Sequence, residues 1–139
     1  MLAENKIDGE IFQKTLKILS DLVKFQTESG KSNLNLIEYC ENELKKSGAS
    51  SFKTFDNSKT KANLFSTING NETENGGIIL SGHTDVVPAS SKDWTTNPFI
   101  AREEGNKIFG RGTCDMKGFI ACTLALAPLF ASKKLKSPI

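Results

Sequence analysis

One histidine, His83, serves the whole chain, and beyond Asp115 there is neither a second histidine nor any acidic residue. Chemistry that needs several imidazoles, or a carboxylate in the last part of the chain, is therefore excluded from these residues alone. Neither sign of charge dominates. Eighteen lysines and arginines stand against 16 acidic residues, a formal net charge of +2, which gives no drive towards nucleic acid or a membrane surface. Cysteine is scarce: Cys40, Cys114 and Cys122 are odd in number and far apart. That excludes a disulfide framework and predicts reduced thiols in a cytoplasmic protein. No apolar run is long. The most apolar stretch, 119–131, is too short to span a bilayer and contains Thr123 and Pro128. The opening residues 1–6 lack the apolar core of a secretory signal. No internal repeat, low-complexity run or interdomain linker is found. What is there is 139 residues, 37% hydrophobic and 24% charged, the composition of one soluble globular domain with a core.

Local patterns predict helix and strand in turn. Ile11, Phe12, Leu16, Leu19, Leu22 and Val23 recur at helical spacing, with Lys14, Lys17, Asp21 and Lys24 opposite. This predicts an amphipathic helix over 8–26 with Asp8 as N-cap. Residues 27–31 form a loop, in which Ser29 has no role beyond the turn. A second helix over 33–47, capped by Ser32 or Asn33, turns Leu36, Ile37, Cys40 and Leu44 to one face, with Cys40 a small core residue. It stops at a left-handed Gly48. Residues 51–56 and 62–68 read as strands, the first near an edge because of Lys53. Residues 69–75 are a surface turn, with the highest mobility expected at its tip. A third helix over 117–127 carries the small residues Gly118, Ala121, Ala125 and Ala127, which suit close approach to a sheet, and Pro128 ends or kinks it. This order predicts an α/β fold, a mixed β-sheet flanked by helices.

The chemistry is concentrated between Gly76 and Asp115. The apolar run Ile78-Ile79-Leu80, bounded by glycines, predicts a strand buried on both faces. Ser81, His83 and Asp85 follow at once, where open α/β sheets bind ligands beyond the carboxyl ends of strands. In extended chain His83 and Asp85 point to the same side, with Cα atoms roughly 6.6 Å apart. The carboxylate can then reach one imidazole nitrogen and leave the other as an acceptor or metal ligand. A lone histidine is equally a hydrogen-bonded surface or core residue. Residues 86–97 make an excursion over the mouth of the site, with Trp94 and Phe99 as packing anchors. Residues 99–103 and 107–109 pair as a hairpin around 104–106, so Glu103 and Glu104 receive no catalytic role. The Gly110-Arg111-Gly112 turn lets the backbone pass close to whatever Asp115 binds. The helix beginning just after Asp115 favours negative charge there, which reads Asp115 as functional rather than as a cap alone. Cys114 points away from Asp115 in extended chain and reads as packing.

GHTDVVP at 82–88, Trp94 with Asn97-Pro98-Phe99, and FGRGTCDMKGFIAC at 109–122 closely resemble the co-catalytic zinc amidohydrolases. This is the family of acetylornithine deacetylase, succinyl-diaminopimelate desuccinylase, aminoacylase and carboxypeptidase G. The wording GRGTCDMKGFIAC is most similar to the acetylornithine deacetylase branch. The resemblance implies a zinc-exopeptidase-like fold. Residues 1–139 would be the N-terminal portion of its catalytic domain, with the remainder and a dimerisation domain further along. It also implies two Zn2+ ions per site, or Co2+ in their place. His83 would ligate one metal, Asp115 would bridge both, and Asp85 would orient His83 from behind. A cis peptide between Asp115 and Met116 is implied as well. The implied reaction is hydrolysis of an N-acyl amino acid. N-acetyl-L-ornithine, split to acetate and L-ornithine in arginine synthesis, comes first, and a succinylated diaminopimelate precursor second. A homodimer is implied, with no nucleic acid or membrane partner. The family's glutamate base, its further acidic ligands and its second histidine have no counterpart after Asp115. The 139-residue chain alone is therefore expected to bind zinc weakly and not to turn over. A non-catalytic binding module is the alternative of another class.

Overall fold

The computed structural model describes residues 9–71 and 76–139. The proposed N-cap Asp8, the opening residues and the tip of the 69–75 turn lie outside the described residues. Helix α1 spans Gly9–Lys24, α2 spans Leu34–Lys45 and α3 spans Gly118–Ala131. Strands β1 (Ser50–Phe55) and β2 (Ala62–Thr67) form one antiparallel pair. Strands β3 (Arg102–Glu104) and β4 (Lys107–Phe109) form another, turned at Gly105. The α/β class stands.

The core is built where the three helices meet. The apolar stripe of α1 buries Ile18, Leu19, Leu22 and Val23 against Leu36 and Cys40 of α2 and Ala121, Leu124 and Ala125 of α3. Leu22, Val23 and Leu36 are fully buried, and each such side chain contributes roughly 1.5–3 kcal/mol. The small face of α3 was expected to meet a sheet, but it packs on α1. β1 is joined to α2 by the ion pair of Lys53 with Glu41, 2.8 Å. Gly48 takes the left-handed conformation expected of it, φ 76°.

Two expectations fail. Residues 78–80 are not a buried strand: Ile78 is 63% and Ile79 90% exposed, and neither lies in a strand. A strand buried on both faces needs partners at its edges and layers above and below. Ile78 N–H bonds the Pro138 carbonyl at 3.0 Å. Ile139 in turn exchanges both backbone bonds with Ile68, at 2.8 and 3.0 Å. The third helix also runs past its expected end. It reads as 117–127 with Pro128 ending or kinking it, and α3 continues through Pro128 to Ala131, with the loss of the backbone bond that proline cannot donate.

The run Thr113–Ala131 is long and apolar enough, by length and composition, to cross a membrane. Its regular part is the 14-residue α3, roughly 21 Å long at 1.5 Å per residue and short of a ~30 Å hydrocarbon core. Ala121, Leu124, Ala125 and Ala127 are buried in the protein core.

Candidate metal centre

The site is assembled on the end of α1. Just past that helix the chain runs beside the 84–86 segment. Val86 N–H bonds the Thr27 carbonyl at 2.9 Å, and Ser29 N–H bonds the Val86 carbonyl at 3.2 Å. The Thr27 hydroxyl donates to the Thr84 carbonyl at 2.5 Å. Asn33 completes the clamp. Its amide nitrogen donates to the Ala62 carbonyl (2.9 Å) and to Thr84 Oγ1 (3.0 Å), while its Oδ1 accepts from Ala62 N–H at 2.9 Å. Asn33 occupies the N-cap position of α2 but its side chain makes no cap bond. Ser32 Oγ accepts from Leu34 N–H instead, at 3.3 Å. The histidine loop is thus pinned to β2 and to both ends of the α1–α2 connection.

The opposite wall is a widened turn, Thr113–Lys117, that enters α3. Asp115 leaves helical geometry there (φ −124°, ψ 96°), and the Asp115–Met116 peptide is cis, as the resemblance implied. Lys117 anchors the turn from inside. Fully buried, it donates Nζ to the carbonyls of Leu22 (2.9 Å) and Phe25 (2.7 Å). Burial pushes its pKa down to about 8. Gly112 has φ 84°, and a Cβ there would lie 2.6 Å from Val86 Cγ1. Its bareness serves the contact between the two motifs.

These walls bring the three site residues read from the sequence together. His83 Nε2 lies 2.9 Å from Asp115 Oδ1. His83 Nδ1 lies 3.2 Å from Asp85 Oδ1 and 3.1 Å from the Asp85 carbonyl. Asp115 therefore faces one imidazole nitrogen and Asp85 the other. The Asp115 side chain is 82% exposed, on an open cleft of about 210 Å³ lined by His83, Asp85, Val86 and the 110–115 turn. The Asp115 carboxylate, bonded to Nε2, raises the His83 pKa above its ordinary value. Burial opposes this, and the Asp85 carbonyl and carboxylate add to the rise. The Asp85 pKa is lowered, first by a hydrogen bond from the Ser29 hydroxyl at 2.8 Å.

Ser29, read as a turn residue, is thus part of the site. A polar loop of serine and threonine gives no signal of which hydroxyl meets a carboxylate far along the chain. Cys114, read as packing, is exposed and lines the cleft, because the non-helical turn at Asp115 breaks the alternation that would have buried it. Trp94 does act as an anchor: the Arg111 guanidinium lies 5.5 Å over its ring, and Arg111 N–H bonds the Pro98 carbonyl at 2.6 Å. Glu28 ties the 86–97 excursion down, accepting from Ala89 N–H at 3.2 Å.

An imidazole nitrogen and a carboxylate oxygen 2.9 Å apart suit two ligands of one zinc ion at ~2 Å each. The donor set is partial. Among the described residues no group of three or more His, Cys, Asp and Glu side chains is arranged to hold one metal ion.

Residues 79–139 match the model for Peptidase family M20/M25/M40. The chain is 43% identical over 110 residues to a succinyl-diaminopimelate desuccinylase of Rickettsia bellii (strain OSU 85-389), covering 77% of this chain and 27% of that protein. It is 43% identical over 117 residues to the succinyl-diaminopimelate desuccinylase of Rickettsia canadensis, covering 81% of this chain and 29% of that protein. Against the acetylornithine deacetylase of Yersinia pestis the identity is 42% over 81 residues, covering 57% of this chain and 21% of that protein. The chain therefore spans between 21% and 29% of the length of these relatives.

Proposed function

We propose, from the premise that residues 79–139 match the peptidase M20/M25/M40 family, that this chain is the first part of a metal-dependent amidohydrolase acting on an N-acyl amino acid. The observation that carries the reading is the 2.9 Å approach of His83 Nε2 to Asp115 Oδ1, with Asp85 behind the other ring nitrogen. His83 and Asp115 would hold zinc. Bound there, zinc supplies a polarised amide carbonyl and a water of lowered pKa. Asp85 keeps the imidazole turned with Nε2 towards Asp115. Asp115, exposed on the cleft, would also help to hold a second ion. Val86 and Val87 form an apolar wall beside these groups.

Two acyl groups compete. The wording of 110–122 favours N-acetyl-L-ornithine. The desuccinylase matches, which cover 77–81% of the chain against 57% for the deacetylase, favour N-succinyl-diaminopimelate. A cytoplasmic homodimer is part of the same proposal.

The test uses the 139-residue chain beside the polypeptide extended to the relatives' length. Release of ornithine and of diaminopimelate is measured with zinc or cobalt added. We expect turnover of one substrate by the longer polypeptide only. His83→Ala or Asp115→Ala should abolish it and Asp85→Ala should reduce it. Turnover that survives Asp115→Ala, or equal turnover by the short chain, would sink the reading. No hydrolysis by the longer polypeptide would instead favour a binding module.

A further inference from the structure

Four side chains stand in a line at the cleft. Ser29 Oγ donates to Asp85 Oδ2 at 2.8 Å. Asp85 Oδ1 lies 3.2 Å from His83 Nδ1, and His83 Nε2 lies 2.9 Å from Asp115 Oδ1. The Asp85 side chain is 54% exposed, so packing does not fix its carboxylate, whose terminal torsion is intrinsically broad. The serine, by contrast, has a fixed base. Its N–H bonds the Val86 carbonyl at 3.2 Å, and its own carbonyl accepts from Lys61 Nζ. Neighbouring Glu28 cannot substitute, since an ionised carboxylate has no proton to donate to Asp85 and accepts instead from Lys31 and Ala89 N–H.

We propose that Ser29 is a positioning residue for the metal-binding imidazole: by holding Oδ2 of Asp85 it keeps Oδ1 at His83 Nδ1 and presents Nε2 beside Asp115. This rests on the metal reading of His83 and Asp115. Ser29 touches neither metal nor substrate and acts only through Asp85. A hydroxyl on a tethered loop does here what packing does for a buried carboxylate: it restricts the torsions of the group that orients the ligand.

Zinc affinity is measured by chelator competition, together with the 15N spectrum of histidine-labelled protein. Because His83 is the only histidine, that spectrum reports one ring. Ser29→Ala is expected to weaken zinc binding about tenfold, the low end for residues that orient a ligand, and to move the His83 ring resonances. Ser29→Thr, which keeps the hydroxyl, should restore both. In an Asp85→Ala background Ser29→Ala should add less than about a twofold change, because the two residues act as a unit. Wild-type affinity with unmoved resonances in Ser29→Ala would overturn the proposal. So would the full effect persisting without Asp85, since the serine would then act on the loop. Should Ser29→Ala fail to fold, Ser29→Cys, a much weaker donor of similar shape, is read by the same criteria. If the wild-type chain, expected to bind zinc weakly, takes up none even at a large excess of metal, the metal reading falls separately. The ring spectrum then decides for Ser29 alone: resonances moved by Ala and not by Thr support it, and unmoved resonances overturn it.

Discussion

At His83 the proposed metal ion would compete with a proton for one nitrogen. Asp115 accepts from Nε2 and so raises the imidazole pKa above 6.5. The folded, metal-free chain therefore binds this proton more tightly than the unfolded chain does. Its stabilising contribution is fully present below pH 6.5 and is lost as pH rises through the raised value. Zinc uptake should run the other way, weakening as pH falls through the same value. A proton NMR titration of the single histidine should give a midpoint above 6.5 without metal, and Asp115→Asn should bring it back towards 6.5. A wild-type midpoint at or below 6.5 would count against the contact. Burial likewise pushes the Cys40 thiol up to about 12.

Among the elements, α1 carries more of the site than its amphipathic pattern suggests. The chain just beyond it clamps the histidine loop, while carbonyls at its end receive Lys117 from the turn that bears Asp115. Such carbonyls carry partial negative charge and suit an ammonium donor. Lys117→Met keeps the apolar stem and removes both bonds. It is expected to cost about 1–3 kcal/mol, the range for leaving buried acceptors unsatisfied. The measurement is urea unfolding, where the midpoint should fall at unchanged slope. An unchanged midpoint would mean that packing of the stem, not the two bonds, holds the turn.

For the molecule as a whole, the apolar surface is unevenly covered. The α1–α2–α3 core is closed, yet Ile78, Ile79 and Leu80 are exposed. On the outer face of β1 and β2, Phe52 and Phe65 stack at 5.1 Å with both rings largely in solvent. Contiguous apolar surface of this kind drives association. The 139-residue chain should bind an apolar dye and grow larger with concentration in light scattering. Ile79→Lys and Phe52→Ser should each lower both signals. A dye-silent monomer at all concentrations would show that these residues are covered in solution.

The sequence by itself determined the elements whose signals are local. Helical periodicity placed α1 and α2, the left-handed Gly48 closed α2, and the turn at Gly105 separated β3 from β4. The His-x-Asp pair and the Gly-Arg-Gly turn singled out His83, Asp85 and Asp115, while their metal roles came from the family resemblance and stand as a proposal. Tertiary structure decided everything that depends on a distant partner. Residues 78–80 look like a buried strand on their own, but a strand exists only with its neighbours. Ser29 looks like a turn residue and Asn33 like a helix cap, and they acquire their long-range contacts only because the α1–α2 connection folds against Thr84, Asp85 and Val86. Lys117 is only the first residue of the predicted third helix in the sequence, and it is buried because the end of α1 offers two carbonyls at that point. Hydrogen bonds between residues far apart in sequence leave no periodicity to read, so their geometry appears only when the chain is folded.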